Sequence, residues 1–273
     1  MKIASKIIAL LLPVTALLVL PIKAAQSQNL LANGTFEGSW TGSFAPEGWT
    51  LAGNGAQRKA PGLDGSSASL LLSDGRRAEQ SGASRPEDWT LSFQFTLNTG
   101  TATTTERIQP FVIYLFEAGD DTGSNNNAWI NLRFDTRNAA NGSEFQIYDK
   151  DNASLWVSAG VPNFTGSTYD PAGNTFTGKT EYQFSITYDS KKDTYSISYG
   201  IVGATLSTIN TGTFRHATTG AGLGTIRFAS GGSGFALDNV VLTTPIPEPA
   251  TAAAVILAAA FVATLVWRGR RQQ

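Results

Sequence analysis

The sequence predicts an all-β protein: a two-sheet antiparallel β-sandwich flanked by an N-terminal signal peptide and a C-terminal transmembrane helix. Between about Asn29 and Thr243, apolar and polar residues alternate with period two in many short runs, the pattern of half-buried strands. Turns rich in Gly, Asn and Asp separate these runs. No helical period persists outside the two termini. Many short strands in one stretch of chain favour two packed sheets.

The N-terminus has the pattern of a secretory signal peptide, predicted over residues 1–25. Lys2 and Lys6 precede an apolar core from about Ile7 to Ile22, and the small residues Ala24 and Ala25 follow. A first transmembrane helix is the weaker interpretation, because prolines interrupt the apolar run and a polar stretch follows it. Lys23 leaves the cleavage site poorly defined.

The central β-sandwich is predicted over residues 26–243 as one domain, since no internal repeat and no Pro-rich linker interrupts it. Its clearest strand is "WTLSFQFTL" (89–97), in which Trp89, Leu91 and Phe93 face one way and Thr90 and Ser92 the other. The other predicted strands are 110–117, 129–135, 144–149, 154–158, 181–189, 194–202, 225–229 and 234–242. The strands on either side of "SKKD" (190–193) are predicted to form a hairpin.

The C-terminus has three parts: a linker at residues 244–249, an apolar segment at 250–267 and a basic tail at 268–273. The apolar segment has about 18 residues, roughly 27 Å of helix, just enough for a hydrocarbon core of about 30 Å. Arg268, Arg270 and Arg271 are expected to hold its end on the cytoplasmic side. With the signal peptide exported first, the body would lie outside the cytoplasm.

Pro247-Glu248-Pro249, the adjoining apolar helix and the terminal Arg268, Arg270 and Arg271 together resemble the PEP-CTERM sorting signal of Gram-negative bacteria. The resemblance covers only about the last 27 residues. It implies recognition by an exosortase, a membrane-embedded peptidase, with the Pro-Glu-Pro residues as substrate. The prolines would hold this segment extended at the membrane surface. Whether the helix is then removed stays open; prolines that merely end a helix are the alternative.

Two parts of the body loosely resemble known sandwich domains. "NLLANGTFEGSW" (29–40) with "PEGWT" (46–50) resembles the first strand and loop of carbohydrate-binding jelly rolls. The later half, through "GSGFALDNVVL" (232–242), resembles concanavalin A/laminin G-like sandwiches, in which the last strand returns beside the first. The resemblance implies a jelly roll.

The composition excludes several classes of function. The chain has no Cys and a single His, so thiol chemistry and Cys-ligated metal are impossible, and a His cluster or Ser-His-Asp triad is not expected. Six of the 20 basic residues lie at the two ends, which leaves 14 against 21 acidic residues elsewhere. This acidic balance argues against nucleic acid as a partner.

The sequence predicts no enzyme and no catalytic residues. Glycoside hydrolysis on a sandwich needs two carboxylates across a cleft, and the E-x-D-x-E strand motif of concanavalin-like hydrolases is absent. Glu87-Asp88 and Asp120-Asp121 are adjacent pairs that a strand would direct to opposite faces. His216 is expected in a surface loop.

No cofactor is predicted, although a structural Ca²⁺ is an open alternative. "EAGDDTGSNNN" (117–127) and "YDKDN" (148–152) carry the oxygen ligands that Ca²⁺ prefers. Their spacing fits no EF-hand loop, and such clusters are common in turns.

A carbohydrate-binding face is predicted from the strand alternation. If Ile130, Leu132 and Phe134 face the core, then Trp129, Asn131, Arg133 and Asp135 face outward. Glu144, Gln146, Tyr148 and Trp156 fall on the polar side of neighbouring runs. Outward aromatic rings beside amides and charges suit saccharide stacking and hydrogen bonding. The candidate site residues are Trp129, Arg133, Tyr148 and Trp156; aromatics that only cover core edges are the alternative.

The expected function is that of an exported, envelope-associated, non-enzymatic β-sandwich protein that binds extracellular polysaccharide. An inner-membrane intermediate would precede delivery to the cell surface or extracellular matrix. Two alternatives remain: an adhesive or structural matrix protein without a small ligand, and a divergent glycan-active enzyme.

Overall fold

The computed structural model describes residues 29–41, 45–53, 57–85, 87–98, 111–120, 122–138, 142–149, 155–158, 166–210, 219–232 and 234–244. All of them belong to one compact unit, Gln28–Pro245. The segments predicted as signal peptide, C-terminal helix and basic tail, and the linker after Thr244, lie outside the described residues. Within the described ranges, no helix has the length and hydrophobicity to cross a bilayer.

The described chain is built from 18 β-strands and one short 3₁₀ helix, Asn125–Asn127. The first nine strands are β1 (Trp40–Thr41), β2 (Ala45–Pro46), β3 (Thr50–Ala52), β4 (Gln57–Ala60), β5 (Ser69–Leu72), β6 (Arg77–Arg85), β7 (Trp89–Leu97), β8 (Phe111–Glu117) and β9 (Ile130–Asn138). The others are β10 (Gly142–Asp149), β11 (Leu155–Ser158), β12 (Thr168–Asp170), β13 (Thr175–Thr177), β14 (Tyr182–Asp189), β15 (Thr194–Ile201), β16 (Ser207–Asn210), β17 (Leu223–Ala229) and β18 (Phe235–Thr243).

Two seven-stranded sheets form the sandwich. Sheet I has the order β11-β10-β9-β8-β17-β6-β3, and sheet II has the order β16-β15-β14-β7-β18-β5-β4. Each pair of neighbouring strands within them is antiparallel. The pairs β1-β2 and β12-β13 form separate small ribbons. The predicted all-β antiparallel sandwich is confirmed.

Period-two alternation places one face of each long strand in the core. In β7, Leu91, Phe93 and Phe95 are buried in the core, whereas Thr90 and Ser92 are only half-buried. The predicted hairpin is also confirmed, because β14 and β15 pair from Tyr182↔Ile201 to Asp189↔Thr194. Alternation therefore predicted both the strands and their inward faces correctly here.

Strands β5 and β6 were not among the predicted strands, for opposite reasons. The sequence of β5 is "SLLL", which is buried throughout and shows no alternation. The sequence of β6 is "RAEQSGASR", in which Ala78 joins the hydrophobic core. Backbone pairing positions β6, since Arg77 to Ser81 lie in register with Ala229 to Thr225 of β17. Long-range pairing of this kind leaves no local pattern to detect.

Phenylalanine rings from the two sheets interlock at the centre of the core. The ring of Phe111 in sheet I lies 4.0 Å from Phe235 and 5.0 Å from Phe95 of sheet II. Phe93 of sheet II meets Phe228 of sheet I edge-on at 5.2 Å. Aromatic pairs of this geometry contribute about 0.5–1.5 kcal/mol each beyond the burial of their surface. They hold the two sheets face to face.

The segment that precedes the first strand runs beside the last strand. Leu30 N donates to Leu242 O at 2.8 Å, and Val240 N donates to Gly34 O at 2.8 Å. The Asn29 side-chain amide adds two hydrogen bonds to the last strand: it donates to Val240 O and accepts from Leu242 N. A Cβ at Gly34 would lie 1.9 Å from Val240 O, so only glycine allows this approach.

Two carboxylates anchor the loop between β4 and β5. Asp238 on β18 accepts hydrogen bonds from Leu63 N at 2.9 Å and from the Ser66 hydroxyl. Glu37 accepts from Ser67 N at 2.6 Å and from Ala68 N at 3.0 Å. Asp238 is 0% exposed, and this burial raises its pKa to about 6, although the hydrogen bonds act in the opposite direction.

We predict that truncation of the central ring of β7 strongly destabilises the protein. Phe93→Ala should lower the free energy of unfolding by about 3–5 kcal/mol, because the interlocked neighbours cannot collapse into the space. Ser92→Ala, on the outer face of the same strand, should change it by less than about 0.5 kcal/mol. Urea unfolding of both variants is the measurement, and equal losses would contradict the described inward face.

Asp238 should make the folded state less stable as the pH rises from 4 to 7. Its folded pKa, about 6, lies above the ordinary value of about 3.9, so its contribution is complete below pH 4 and is lost as pH rises through 6. We expect a loss of about 2 kcal/mol over this range, since a pKa shift of one unit corresponds to about 1.4 kcal/mol. Unfolding of wild type and Asp238→Asn at pH 4, 5.5 and 7 measures the effect. Parallel pH profiles would rule this titration out.

Candidate functional site

Trp129 was predicted to face outward, and that prediction is wrong. Its side chain is 0% exposed and belongs to the hydrophobic core. The ring meets Tyr188 edge-on at 5.0 Å and Trp89 edge-on at 6.4 Å. Trp129 precedes the first residue of β9 and follows the 3₁₀ helix, so the strand alternation does not yet apply to it. It is therefore not available to stack on a ligand.

The other three predicted site residues lie together on the outer face of sheet I. Arg133, Tyr148 and Trp156 belong to the neighbouring strands β9, β10 and β11. Tyr148 and Trp156 are directly paired across the strands, and their rings meet edge-on at 5.4 Å. The Arg133 guanidinium lies 3.9 Å from the centre of the Trp156 ring. We name these three residues with Gln146 the aromatic cluster.

Gln146 is the fourth residue of the aromatic cluster and holds the Arg133 side chain by a hydrogen bond. Its Oε1 accepts a hydrogen bond from Arg133 Nε at 2.8 Å, and the two residues are in register on β10 and β9. Arg133 is only 4% exposed, whereas Tyr148 and Trp156 are half-buried. The guanidinium thus supports the indole from the protein side through a cation–π contact. Solvent reaches Tyr148, Trp156 and Gln146, each of which is half-buried.

The same cross-strand row continues past the aromatic cluster to two residues outside the predicted set. Tyr114 on β8 is in register with Asn131 on β9. Because Leu132 pairs with Ile147, Asn131 lies one position further along, beside Tyr148. Asn131 had been placed on the outward face by alternation. Tyr114 was missed because only the pairing of β8 with β9 brings it into this row.

A loop covers the other end of the row. Arg227 pairs with Tyr114 in register and is completely buried. Its guanidinium donates to Asn125 Oδ1 and to Thr122 O at 2.8 Å each, and it forms an ion pair with Glu79 at 2.6 Å. The segment after β8 is therefore fastened over the outer face of sheet I. It bounds the row opposite Trp156.

This loop contains part of the sequence considered as an alternative Ca²⁺ site, and several of its oxygens accept hydrogen bonds from backbone N–H groups. Glu117 accepts from Thr219 N at 3.0 Å through each carboxylate oxygen, and Asp120 Oδ2 accepts from Glu117 N. Among the residues that the structure describes, no group of three His, Asp or Glu side chains is arranged to hold a metal ion. Positions 121 and 150–152 lie outside them.

In the two adjacent acidic pairs, Asp88 and Asp120 have structural partners. Asp88 accepts hydrogen bonds from Ser190 N at 2.7 Å and from Ser190 Oγ at 2.5 Å, which lower its pKa. It therefore caps the β14-β15 hairpin. His216 and the sorting-motif residues lie outside the described chain.

Comparisons with known proteins define the architecture. No protein-family model matches this chain. No curated protein matches its sequence. Among solved structures, a carbohydrate esterase from the Shiga toxin-encoding bacteriophage phi24B has a TM-score of 0.51 at 12% identity, over 80% of this chain and 99% of that one. Peanut lectin in complex with a nine-residue peptide has a TM-score of 0.50 at 13% identity, over 82% of this chain and 100% of that one. At such identities the likeness shows a shared lectin-like sandwich fold.

Proposed function

We propose that this protein is an exported cell-envelope or extracellular-matrix protein whose β-sandwich binds polysaccharide without catalysis. The observation that carries the proposal is the aromatic cluster on the outer face of sheet I. Two half-buried aromatic rings stand beside an amide and a guanidinium on three adjacent strands. Aromatic faces stack on the C–H surfaces of sugars, and nearby amides bond to their hydroxyls.

The construction of the cluster supports binding because its rings are already held in place. Trp156 rests on Arg133 and meets Tyr148, while Gln146 fixes the guanidinium. A side chain that is ordered before binding loses little further rotational freedom when a ligand arrives. A preorganised pair of aromatic rings on a rigid sheet therefore suits a hydroxyl-rich polymer whose sugar rings have apolar C–H faces.

The two solved structures of similar fold are named as a carbohydrate esterase and a lectin, so this architecture occurs in proteins of both kinds. Fold likeness does not assign either activity. We favour binding over catalysis because the described carboxylates near the sheets, such as Glu117 and Asp88, hold backbone donors. The aromatic cluster contains no carboxylate.

The delivery of the protein is proposed from its two termini. The N-terminal pattern of residues 1–25 would direct export. Pro247, Glu248 and Pro249, with the apolar segment and Arg268, Arg270 and Arg271, would be read by an exosortase-type peptidase. The chain would pass through an inner-membrane intermediate before it reaches the surface or matrix. There, secreted polysaccharide is an available partner.

Removal of both half-buried rings of the aromatic cluster should weaken polysaccharide retention. We predict that Tyr148→Ala with Trp156→Ala weakens binding by about tenfold or more, because two stacking surfaces are lost. Affinity electrophoresis in gels that contain laminarin, dextran, xylan, galactomannan or alginate measures retention.

Tyr169→Ala is the matched control for this experiment, since Tyr169 is a half-buried aromatic residue on the separate β12-β13 ribbon. It should leave retention unchanged. Wild-type protein that is retained by none of these polymers would refute polysaccharide binding and favour an adhesive or structural role. Release of acetate or of reducing ends from a retained polymer would instead indicate an enzyme.

The sorting proposal predicts a processing defect when the motif is changed. Glu248→Ala should make a membrane-bound precursor accumulate in a bacterium that has an exosortase, because the recognised peptide is altered. Immunoblotting of membrane and extracellular fractions measures this, with Glu47→Ala as a control for loss of a carboxylate. Identical fractionation of the Glu248→Ala variant and the wild type would count against exosortase recognition.

A further inference from the structure

The candidate site is longer than the aromatic cluster alone. Tyr114, Asn131, Tyr148 and Trp156 form one row across the four strands β8, β9, β10 and β11. Neighbouring strands lie about 4.7–4.9 Å apart, so the row spans three intervals, roughly 14 Å. A single sugar ring covers about one such interval. The row therefore matches the length of a short oligosaccharide segment that crosses the strands.

Asn131 lies inside this row and has an unmet hydrogen-bonding requirement. Its side chain is 4% exposed, and its Oδ1 has no hydrogen-bond partner within the described part of the structure. Nearly all buried polar side-chain atoms in proteins have a partner, and an acceptor left without one destabilises the fold. An apolar residue of similar size would avoid that penalty. The amide at this position is therefore explained if a bound hydroxyl supplies the donor.

The accessible part of the row carries no charge. Tyr114, Tyr148 and Trp156 are half-buried and neutral, whereas the Arg133 guanidinium lies beneath the Trp156 ring. The guanidinium cannot meet an anion from solvent in this position. A polyanionic chain would gain little on this face.

We infer that this face binds an uncharged, linear stretch of polysaccharide across the strands, and that Asn131 is its specificity-determining hydrogen-bond acceptor. The inference rests on the proposed polysaccharide binding and goes beyond it, because it names the ligand class and a further contact residue. Tyr114 and Tyr148 flank the amide on either side. A sugar hydroxyl that enters between their rings donates to Asn131 Oδ1.

The test is Asn131→Leu in the full exported domain. Leucine removes the unpaired acceptor, so the melting temperature should stay the same or rise, while retention by neutral polymers should weaken about tenfold. A merely structural asparagine would give the opposite result, with lower stability and unchanged affinity. Asn131→Ala decides the question if the leucine variant does not fold. Gln183→Leu, on the outer face of sheet II, is the matched control.

Different results of these experiments test the role of Asn131, the uncharged ligand class, the length of the site and polysaccharide binding itself. Retention that is lost in the Tyr148→Ala, Trp156→Ala variant but unchanged in Asn131→Leu would overturn the role of Asn131 alone. Tighter retention by alginate than by laminarin, dextran or xylan would overturn the uncharged ligand class. Equal inhibition by di- and hexasaccharides of a retained neutral polymer would overturn the extended site. Absence of retention by every polymer would overturn polysaccharide binding itself and this inference with it.

Discussion

The interlocked phenylalanines between the two sheets are the constraint on which the other features depend. Phe111 and Phe228 of sheet I insert among Phe93, Phe95 and Phe235 of sheet II. A shift of one residue in any of these strands would turn every side chain to the opposite face. The core therefore fixes which residues of β9 and β10 face outward. Arg133, Gln146 and Tyr148 meet on the outer face because Leu132, Phe134 and Ile147 are held within.

The two outer faces of the sandwich differ in chemistry. The outer face of sheet II presents hydroxyl side chains, such as Thr90 bonded to Thr187 at 3.2 Å and Ser198 bonded to Thr208 at 2.9 Å. These hydroxyls satisfy one another across the strands. The outer face of sheet I carries aromatic rings, a shielded guanidinium and a buried amide. Half-buried aromatic rings and a buried amide oxygen without a hydrogen-bond partner occur together on this face, which is why we propose it for binding.

Charged side chains fasten irregular segments to this framework. The buried Arg227 holds the loop after β8 over sheet I, and the buried Asp238 with the exposed Glu37 holds the loop between β4 and β5. Arg227 and Asp238 each make several hydrogen bonds, as a buried charge requires. Within the residues that the structure describes, the loop after β8 bounds the row on the outer face of sheet I at one end.

The sequence by itself determined the fold class and much of the outward face. Period two in β7, β14 and β15 predicted strands and their inward residues, because alternation is a local property of an extended chain. It also placed Arg133, Tyr148 and Trp156 on polar sides. Strands β5 and β6 lack that local signal, and tertiary pairing alone positions them.

Tertiary structure alone decided the membership of the site. Trp129 stands before the pleated part of β9, so its ring enters the core between Trp89 and Tyr188. Tyr114 and Asn131 join Tyr148 only because β8, β9 and β10 are neighbours in register. Export and sorting of the protein are predicted only from the sequence of residues 1–25 and 244–273. Alternation tells which way a side chain points, but only strand order and register tell which other side chains it meets.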